Sequence, residues 1–353
     1  MATPLPIFDG HNDTLLRLFQ AGPEDGLNFF ARNESGHLDL PRALEGGLGG
    51  GFFAIFTPNK KKMPYPGDEK IAQGYEFPLP PPIDQPFALQ TTISMAALLY
   101  RLEAEAEGKI KVVRTVDEME RCLREGTFAI IFHIEGAEAI DTGLNTLSVL
   151  YQAGLRSLGL VWSRANAFGH GVPFKFPGSP DTGPGLTGAG RELVKACNRL
   201  GILVDVSHLN EKGFWDVVEV SDAPIVATHS GAYTCSNSTR NLTDKQLDAL
   251  AERDGVAGVN FHVGFLRADG KADPDSSLTE IVRHARYIAG RIGVDHVALG
   301  SDFDGATMPG DLKDVAGLPK LIAALRDGGF DDNDLRKIAY QNWLRVLQKT
   351  WKN

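Results

Sequence analysis

The stretch FAIIFHIE at residues 128–135 determines the predicted fold, because it is a nearly unbroken apolar run that ends in a carboxylate. Such a run without alternation is typical of a strand in a parallel sheet whose two faces are both covered. Seven similar runs lie along the chain. They are PIFDG at 6–10, GFFAIF at 51–56, LRSLGLVW at 155–162, ILVDVS at 202–207, APIVATH at 223–229, VAGVNFH at 256–262 and HVALGSD at 296–302.

Helical patterns separate most of these predicted strands. They lie at 88–108, 116–125, 188–201, 244–253, 277–293 and 318–329. Eight strands that alternate with helices in a chain of 353 residues indicate an α/β fold, a (β/α)8 TIM barrel. An open doubly wound sheet is the structural alternative, but the first strand ends in GHND and not in the GxGxxG turn typical of that fold. We therefore predict one barrel domain over 1–353.

Two long segments without helical periodicity, at 57–87 and 163–187, are predicted loops. The first is rich in Pro and Lys, and the second is rich in Gly and Pro. Each follows a predicted strand, so both would lie on the C-terminal face of the barrel. Barrel enzymes build their active sites on that face.

Composition excludes several classes of partner. The net charge of -9 argues against binding to nucleic acid or to an anionic membrane, because phosphate groups repel an acidic surface. The start of the sequence has no signal-peptide pattern, and no apolar run approaches the ~20 residues of a membrane helix. Three cysteines without a CxxC pair indicate reduced thiols and disfavour a thiolate zinc site. We expect a cytoplasmic protein.

Side chains of the types that bind metals stand at the ends of five predicted strands. They are His11 and Asp13 after the first strand, and Glu135, His208, His229 and Asp302 after four others. A barrel brings these strand ends into one pocket. Imidazoles and carboxylates are the ligands that zinc takes when thiolates are absent, and two adjacent ions need a bridging anion. The joint pattern predicts a metal site, although capping or core hydrogen bonding would explain any single residue.

Other polar residues have plainer interpretations. We expect His262, His284 and His296 to be hydrogen-bonded residues of the core or of loops. Asp302 and Asp304, in GSDFDG, could instead cap the loop that follows. Calcium is disfavoured there, because the EF-hand pattern does not continue.

Eight motifs together resemble those of the membrane (renal) dipeptidases and their bacterial relatives, which are metallopeptidases of the amidohydrolase type. They are FDGHNDT at 8–14, HLDLPRALEGGLGGGFFAIFTP at 37–58, HIEGAEAI at 133–140, LVDVSHLN at 203–210, ATHSGAY at 227–233, STRNLTD at 238–244, LGSDFDG at 299–305 and QNWLRVL at 341–347. The resemblance covers nearly the whole chain. It implies a (β/α)8 barrel that holds two zinc ions. It also implies an enzyme that cleaves dipeptides and tolerates a D-residue at their C-terminal position.

The resemblance also implies a role for each metal-binding candidate. His11 and Asp13 would bind the first zinc ion, and His208 and His229 would bind the second. Glu135 would bridge the two ions. The same resemblance implies a homodimer.

Two further residues match the family's substrate and catalytic positions. Arg240 matches an arginine that grips the terminal carboxylate of the dipeptide, a task that suits a planar bidentate cation. Asp302 matches the catalytic aspartate. The mechanism that follows is attack by a metal-bridging hydroxide, with Asp302 taking its proton and passing it to the leaving amine.

One position departs from the family pattern. Where the family has a histidine that polarises the scissile carbonyl, this sequence has Trp162, in LVWS at 160–163. His170 and Arg164, in the same predicted loop, are candidates for that role. The plainer interpretation is that Trp162 forms a wall of the pocket and that the zinc ions polarise the carbonyl.

Two other functions remain open at the level of sequence. Trp162 keeps open a metal-dependent hydrolase of another small amide, such as an N-acyl amino acid or a lactam. A metal-binding or structural protein without activity is the second alternative. The presence of Arg240 and Asp302 beside a complete set of metal ligands speaks against it.

Overall fold

The structure is a computed structural model that describes residues 5–21, 25–60 and 74–352. This part of the chain contains eleven strands. They are β1 (Ile7–Asn12), β2 (Leu48–Phe56), β3 (Tyr75–Glu76), β4 (Ile110–Val112), β5 (Phe128–Glu135), β6 (Ser157–Gly159), β7 (Lys175–Phe176), β8 (Leu203–Asp205), β9 (Val226–Ala227), β10 (Val256–Asn260) and β11 (Val297–Gly300).

Eight of these strands form a nearly closed parallel barrel, in the order β1-β2-β5-β6-β8-β9-β10-β11. A parallel bridge between Asn12 and Phe303 brings the end of β11 to β1. The amide of Asp302 also donates a hydrogen bond to the His11 carbonyl, at 2.9 Å. The additional strand β4 pairs with the start of β5, outside the ring. The predicted (β/α)8 barrel is confirmed, and each of its strands lies within or beside a predicted run.

Helices surround the barrel. They are α1 (Thr14–Gln20), α2 (Leu40–Glu45), α3 (Gln85–Glu105), α4 (Val116–Glu125), α5 (Asn145–Ala153), α6 (Gly188–Leu200), α7 (Glu211–Val220), α8 (Asp244–Glu252), α9 (Val263–Leu266), α10 (Thr279–Ile292), α11 (Leu318–Asp327), α12 (Asp332–Arg336) and α13 (Asn342–Thr350). The six predicted helices correspond to α3, α4, α6, α8, α10 and α11. Helix α3 begins three residues earlier than predicted, because the Asp84 side chain caps it by accepting a hydrogen bond from the Phe87 amide.

The barrel interior changes from apolar to polar along the strands. Near the N-terminal end it is filled by side chains such as Phe8, Phe52 and Ile131, which pack with the fully buried Trp343 of α13. Alternate residues of a strand face the same side, so the β5 residues after Ile131 that share this face are His133 and Glu135. The apolar plug thus lies below a polar layer at the C-terminal mouth.

The two predicted long loops meet above this mouth. Strand β3, from the first loop, pairs antiparallel with β7, from the second, and Tyr75 lies opposite Phe176. The sequence did not predict this pairing, because each strand has only two residues. Residues 61–73 of the first predicted loop lie outside the described part of the chain. Within the described ranges, no helix combines the length and the apolar character needed to cross a bilayer.

Candidate active site

Four of the predicted metal ligands lie at the C-terminal ends of barrel strands. His11 lies near the end of β1 and Glu135 is the last residue of β5. His208 follows β8 by three residues, and His229 follows β9 by two. All four are buried, with at most 5% of each residue exposed. The strands therefore fix these side chains within the interior of the barrel.

Three of the predicted ligands, all histidines, converge around the Glu135 carboxylate, and Asp13 lies close to one of them. Glu135 Oε1 lies 3.0 Å from His208 Nε2, 3.5 Å from His229 Nε2 and 3.9 Å from His11 Nε2. His11 Nε2 also lies 3.6 Å from Asp13 Oδ2. The potential ligand atoms form two overlapping sets, and within each set all atoms lie within 4.8 Å of one another. One set is His11, Glu135 and His229, and the other is His11, Asp13 and Asp302. Each set could hold a metal ion, and the two sets have His11 in common.

The hydrogen bonding of His11 supports a metal at this position. Its ring is fully buried, and neither ring nitrogen has a hydrogen-bond partner among the described residues. A buried polar atom without a partner costs about 1–3 kcal/mol, so it needs an explanation. A divalent cation bound by imidazole nitrogens and carboxylate oxygens would supply it, and this donor set suits zinc.

The protonation states of the histidines follow from burial and from the neighbouring acids. Burial lowers the pKa of His208 and of His229 well below the ordinary value, so both rings are neutral and keep a lone pair. Burial also acts to lower the pKa of His11, but the charges of Glu135 and Asp13 raise it to about 10. A metal ion bound by the His11 imidazole would take the place of this proton.

Hydroxyl groups orient the two histidines on the other side of Glu135. Ser163 Oγ lies 2.9 Å from His208 Nδ1, and Thr228 Oγ1 lies 2.8 Å from His229 Nδ1. In both rings Nε2 is then the nitrogen that faces Glu135. His208 has a φ of 67°, in the left-handed region, which non-glycine residues adopt mostly at constrained sites.

Asp302 lies beside the ligand cluster and lines the cavity above it. Its φ is 61°, and its Oδ2 accepts a hydrogen bond from Asn260 Nδ2 at 2.9 Å. Burial raises the pKa of Asp302. A carboxylate with a raised pKa can accept and return a proton. Asp304, by contrast, accepts hydrogen bonds from the Thr14 hydroxyl and the His37 amide, which lie in distant segments and not in the loop that follows Asp304.

Arg240 lies next to the same cluster. Its guanidinium donates to the His229 carbonyl at 3.1 Å and to Ser230 Oγ at 3.5 Å, and it lies over the ring of Phe265. Its Nε is buried without a partner among the described residues. Burial lowers its pKa, against the opposing charges of Asp302 and Glu135. This guanidinium retains donor capacity for an anion.

Trp162 lines the cavity, as expected for a wall residue. Its ring centroid lies 5.0 Å from that of Phe56, 5.4 Å from that of Phe174 and 6.0 Å from that of His208. The His170 side chain does not belong to the set that lines the cavity in the described part of the chain. The geometry therefore supports Trp162 at the pocket and gives no support to His170.

Arg164 is held by the protein itself. It is fully buried, and its Nε donates to Glu138 Oε1 at 2.9 Å. Its two terminal nitrogens donate to Asn59 Oδ1 at 2.8 Å and to the Thr57 carbonyl at 3.2 Å. These bonds give no support to Arg164 as the group that polarises the carbonyl. Arg164 joins its own loop to the segment after β2.

The cavity above the ligands has a volume of about 350 Å³. Its described lining residues are Asp13, Tyr75, Phe77, Glu135, Trp162, Phe174, His208, His262, Gly264, Phe265, Gly270, Ala272, Asp302, Gly305, Ala306 and Thr307. The interpretation of the sequence missed His262 as a cavity residue. Its Nδ1 accepts a hydrogen bond from the Thr307 amide at 3.1 Å, so it is hydrogen-bonded as expected and lines the cavity as well. Like the predicted ligands His208 and His229, His262 lies just after a barrel strand, and this position could have been read from the sequence.

The other two histidines have the structural roles predicted for them. His284 Nδ1 accepts from the Ala232 amide at 2.9 Å, and its Nε2 donates to the Leu266 carbonyl at 2.9 Å. His296 Nδ1 lies 2.8 Å from the Gly255 carbonyl. Neither belongs to the lining of the cavity described above.

Proteins of known sequence show the relationship of the chain. Residues 1–353 match the family described as "Membrane dipeptidase (Peptidase family M19)". An uncharacterized protein encoded in the pqqA 5′ region of Klebsiella pneumoniae is 50% identical over 256 residues, which are 72% of this chain and 94% of that protein. The dipeptidase tcpJ of Claviceps purpurea is 28% identical over 347 residues, covering 97% of this chain and 76% of that protein.

Solved structures agree with this relationship. A metallo peptidase from Rhodobacter sphaeroides, liganded with a phosphinate mimic of the dipeptide L-Ala-D-Ala, is 49% identical and superposes with a TM-score of 0.95, covering 98% of this chain and 99% of that one. A structure described as dipeptidase AC is 48% identical with a TM-score of 0.93, covering 99% of each chain. With the barrel, the buried ligand cluster and the match along the whole length, the chain belongs to the membrane dipeptidase family of metallopeptidases.

Proposed function

We propose that this metallo-dipeptidase uses two zinc ions and accepts dipeptides that carry a D-residue at the C-terminal position. The observation that carries the proposal is the position of Glu135 Oε1, within 3.9 Å of Nε2 in three buried histidines. The Rhodobacter sphaeroides relative, which binds a mimic of L-Ala-D-Ala, supports the substrate class.

Each metal would be held by ligands from a different side of the barrel. His11 and Asp13 would bind one zinc ion, His208 and His229 would bind the other, and Glu135 would bridge them. When bound, zinc ions at this position polarise the scissile carbonyl and lower the pKa of a water molecule. The unpartnered nitrogens of His11 support this assignment.

The substrate would lie in the cavity that Asp302 lines, with Arg240 packed against the lining residue Phe265. Arg240 would bind the terminal carboxylate through the donors that the protein leaves free, and the aromatic wall at Trp162 would enclose the substrate. Asp302, oriented by Asn260, would accept a proton from the attacking water and deliver it to the leaving amine. Arg164 is assigned to loop positioning, and a contact of His170 with substrate stays a prediction.

Metal analysis coupled to a substrate panel tests this proposal. We expect close to two zinc ions per chain, and turnover of L,L- and L,D-dipeptides well above that of N-acyl amino acids and lactams. Faster turnover of N-acyl amino acids or lactams would favour the alternative function that Trp162 keeps open. No turnover of any substrate by fully loaded protein would revive the inactive metal-binding protein.

Two expectations about the protein as a whole stay predictions. The homodimer can be tested by light scattering coupled to size-exclusion chromatography, where a monomer mass of 38.2 kDa would contradict it. The cytoplasmic location, without nucleic acid or membrane partners, can be tested by cell fractionation.

A further inference from the structure

A buried carboxylate lies directly beneath two of the proposed ligands. Asp205 is the last residue of β8 and is 1% exposed. Its Oδ1 accepts hydrogen bonds from the amides of Ser207 and Thr228, both at 2.9 Å. Its Oδ2 accepts the Thr228 hydroxyl at 2.7 Å. Asp205 therefore ties together the two loops that carry His208 and His229.

The Thr228 hydroxyl connects this carboxylate to a ligand ring. A hydroxyl has one proton, and that of Thr228 is given to Asp205. Thr228 Oγ1 lies 2.8 Å from His229 Nδ1 and can then only accept a hydrogen bond from it. His229 must therefore carry its proton on Nδ1, which leaves the lone pair on Nε2, the nitrogen that lies 3.5 Å from Glu135 Oε1.

We propose that Asp205 is a positioning residue that, through Thr228, fixes the tautomer of His229 that can bind metal. Ser207 strengthens the same link, because its amide donates to Asp205 and its hydroxyl accepts the His229 amide at 3.1 Å. The inference rests on the proposed function, since it takes His229 as a ligand. Hydrogen bonds behind a ligating histidine commonly change metal affinity by about 10- to 100-fold.

The substitution Asp205→Asn reverses the direction of this relay with little change in shape. The amide oxygen can still accept the Ser207 and Thr228 amides, but the new NH2 group donates to the Thr228 hydroxyl. That hydroxyl then donates to His229 Nδ1, so the ring proton must lie on Nε2. A protonated Nε2 has no lone pair with which to bind zinc. We expect D205N to bind zinc about 100-fold more weakly, measured by titration of metal-free protein against a chromophoric chelator.

Variants of Thr228 separate the relay from a purely structural role. Thr228→Val removes the hydroxyl and should weaken zinc binding about 10-fold, whereas Thr228→Ser keeps the hydroxyl and should preserve the affinity within about threefold. In the double variant D205N/T228V the misdirected donor is gone, so it should bind zinc more tightly than D205N alone. Additive losses in the double variant would overturn the relay. If D205N does not fold, equal affinities of T228V and T228S would overturn it.

Two controls locate any failure. Asp216→Asn alters a buried carboxylate that accepts the Leu186 amide and Arg191 away from the ligand cluster, so it should lower stability and leave zinc affinity unchanged. His229→Ala should lose one zinc ion. If H229A keeps both ions, the ligand set of the proposed function is wrong. If H229A loses an ion while D205N binds as the wild type does, only the relay is wrong. Cobalt absorption spectra of the same variants report directly on the ligand geometry.

Discussion

Two buried arginines, both candidates for substrate binding from the sequence, differ in what surrounds them. Arg164 donates to Glu138, Asn59 and the Thr57 carbonyl, so the protein itself holds its guanidinium. Arg240 makes two guanidinium hydrogen bonds, at 3.1 Å and 3.5 Å, and leaves Nε without a partner among the described residues. A buried cation that the protein satisfies is part of the scaffold, and one with donors left over is suited to a ligand.

The same contrast separates two buried histidines. His284 uses one ring nitrogen to accept from the Ala232 amide and the other to donate to the Leu266 carbonyl. His11 is equally buried, and both of its ring nitrogens lack a partner among the described residues. The comparison predicts that substitutions in the unsatisfied region, around His11, Arg240 and Asp302, change function. Substitutions at Arg164 and His284, whose own side-chain nitrogens all have partners, should change stability.

The largest effect is expected at Asp302, in the unsatisfied region. Asp302→Asn keeps the size of the side chain and the contact with Asn260 but removes the proton acceptor. We expect kcat to fall about 10²- to 10⁴-fold, the range that general acid–base groups supply. Steady-state kinetics on a dipeptide measures the fall, and metal analysis is the control. Loss of zinc from D302N, or turnover near that of the wild type, would contradict the assigned role.

Arg164 should give the next largest effect, on stability. Arg164→Met leaves the buried Glu138 carboxylate without its cation, and breaking a buried pair in this way costs about 3–5 kcal/mol of unfolding free energy. Urea unfolding of zinc-loaded protein measures the cost. The double variant E138L/R164M should recover part of it, because no unpaired charge stays buried. A stable R164M protein with a raised KM would instead mean that Arg164 binds substrate. The contrast drawn between Arg164 and Arg240 would then be wrong.

Arg240 should show the reverse behaviour. Arg240→Met removes the cation proposed to bind the terminal carboxylate, and a hydrogen bond to a charged group contributes about 1.5–3 kcal/mol. We expect kcat/KM for dipeptides to fall by one to two orders of magnitude. The matched measurement uses dipeptide amides, which lack the carboxylate and should lose little. An equal loss on both substrates would mean that Arg240 acts through the fold.

The barrel was predictable because its signal is local and repeated. Each strand is a short apolar run, and ligand-type residues stand at the ends of several, so His11, Glu135, His208 and His229 could be found together. The ion pair of Arg164 was not predictable, because its partner Glu138 lies 26 positions away and the packing of two loops brings them together. The same reason hid the pairing of Asp205 with Thr228, and His262 was missed because one histidine after a strand has several explanations.

The smallest effect concerns His284 and the dependence of stability on pH. Burial lowers its pKa from 6.5 to about 4, so between these values the unfolded chain binds a proton that the folded protein does not. The contribution of His284 is therefore complete above pH 6.5 and is lost as the pH falls toward 4. Between pH 7.5 and 5.5 the loss is about 1 kcal/mol.

The variant His284→Gln isolates this contribution, because glutamine can still donate to the Leu266 carbonyl but does not titrate in this range. Urea unfolding of the wild type and H284Q at both pH values should show that the wild type loses about 1 kcal/mol more on acidification. Activity at pH 7.5 should change little, since His284 does not belong to the described lining of the cavity. If the two proteins respond equally to acid, the ring of His284 is not held neutral by burial. The contrast with His11 would then rest on hydrogen bonding alone.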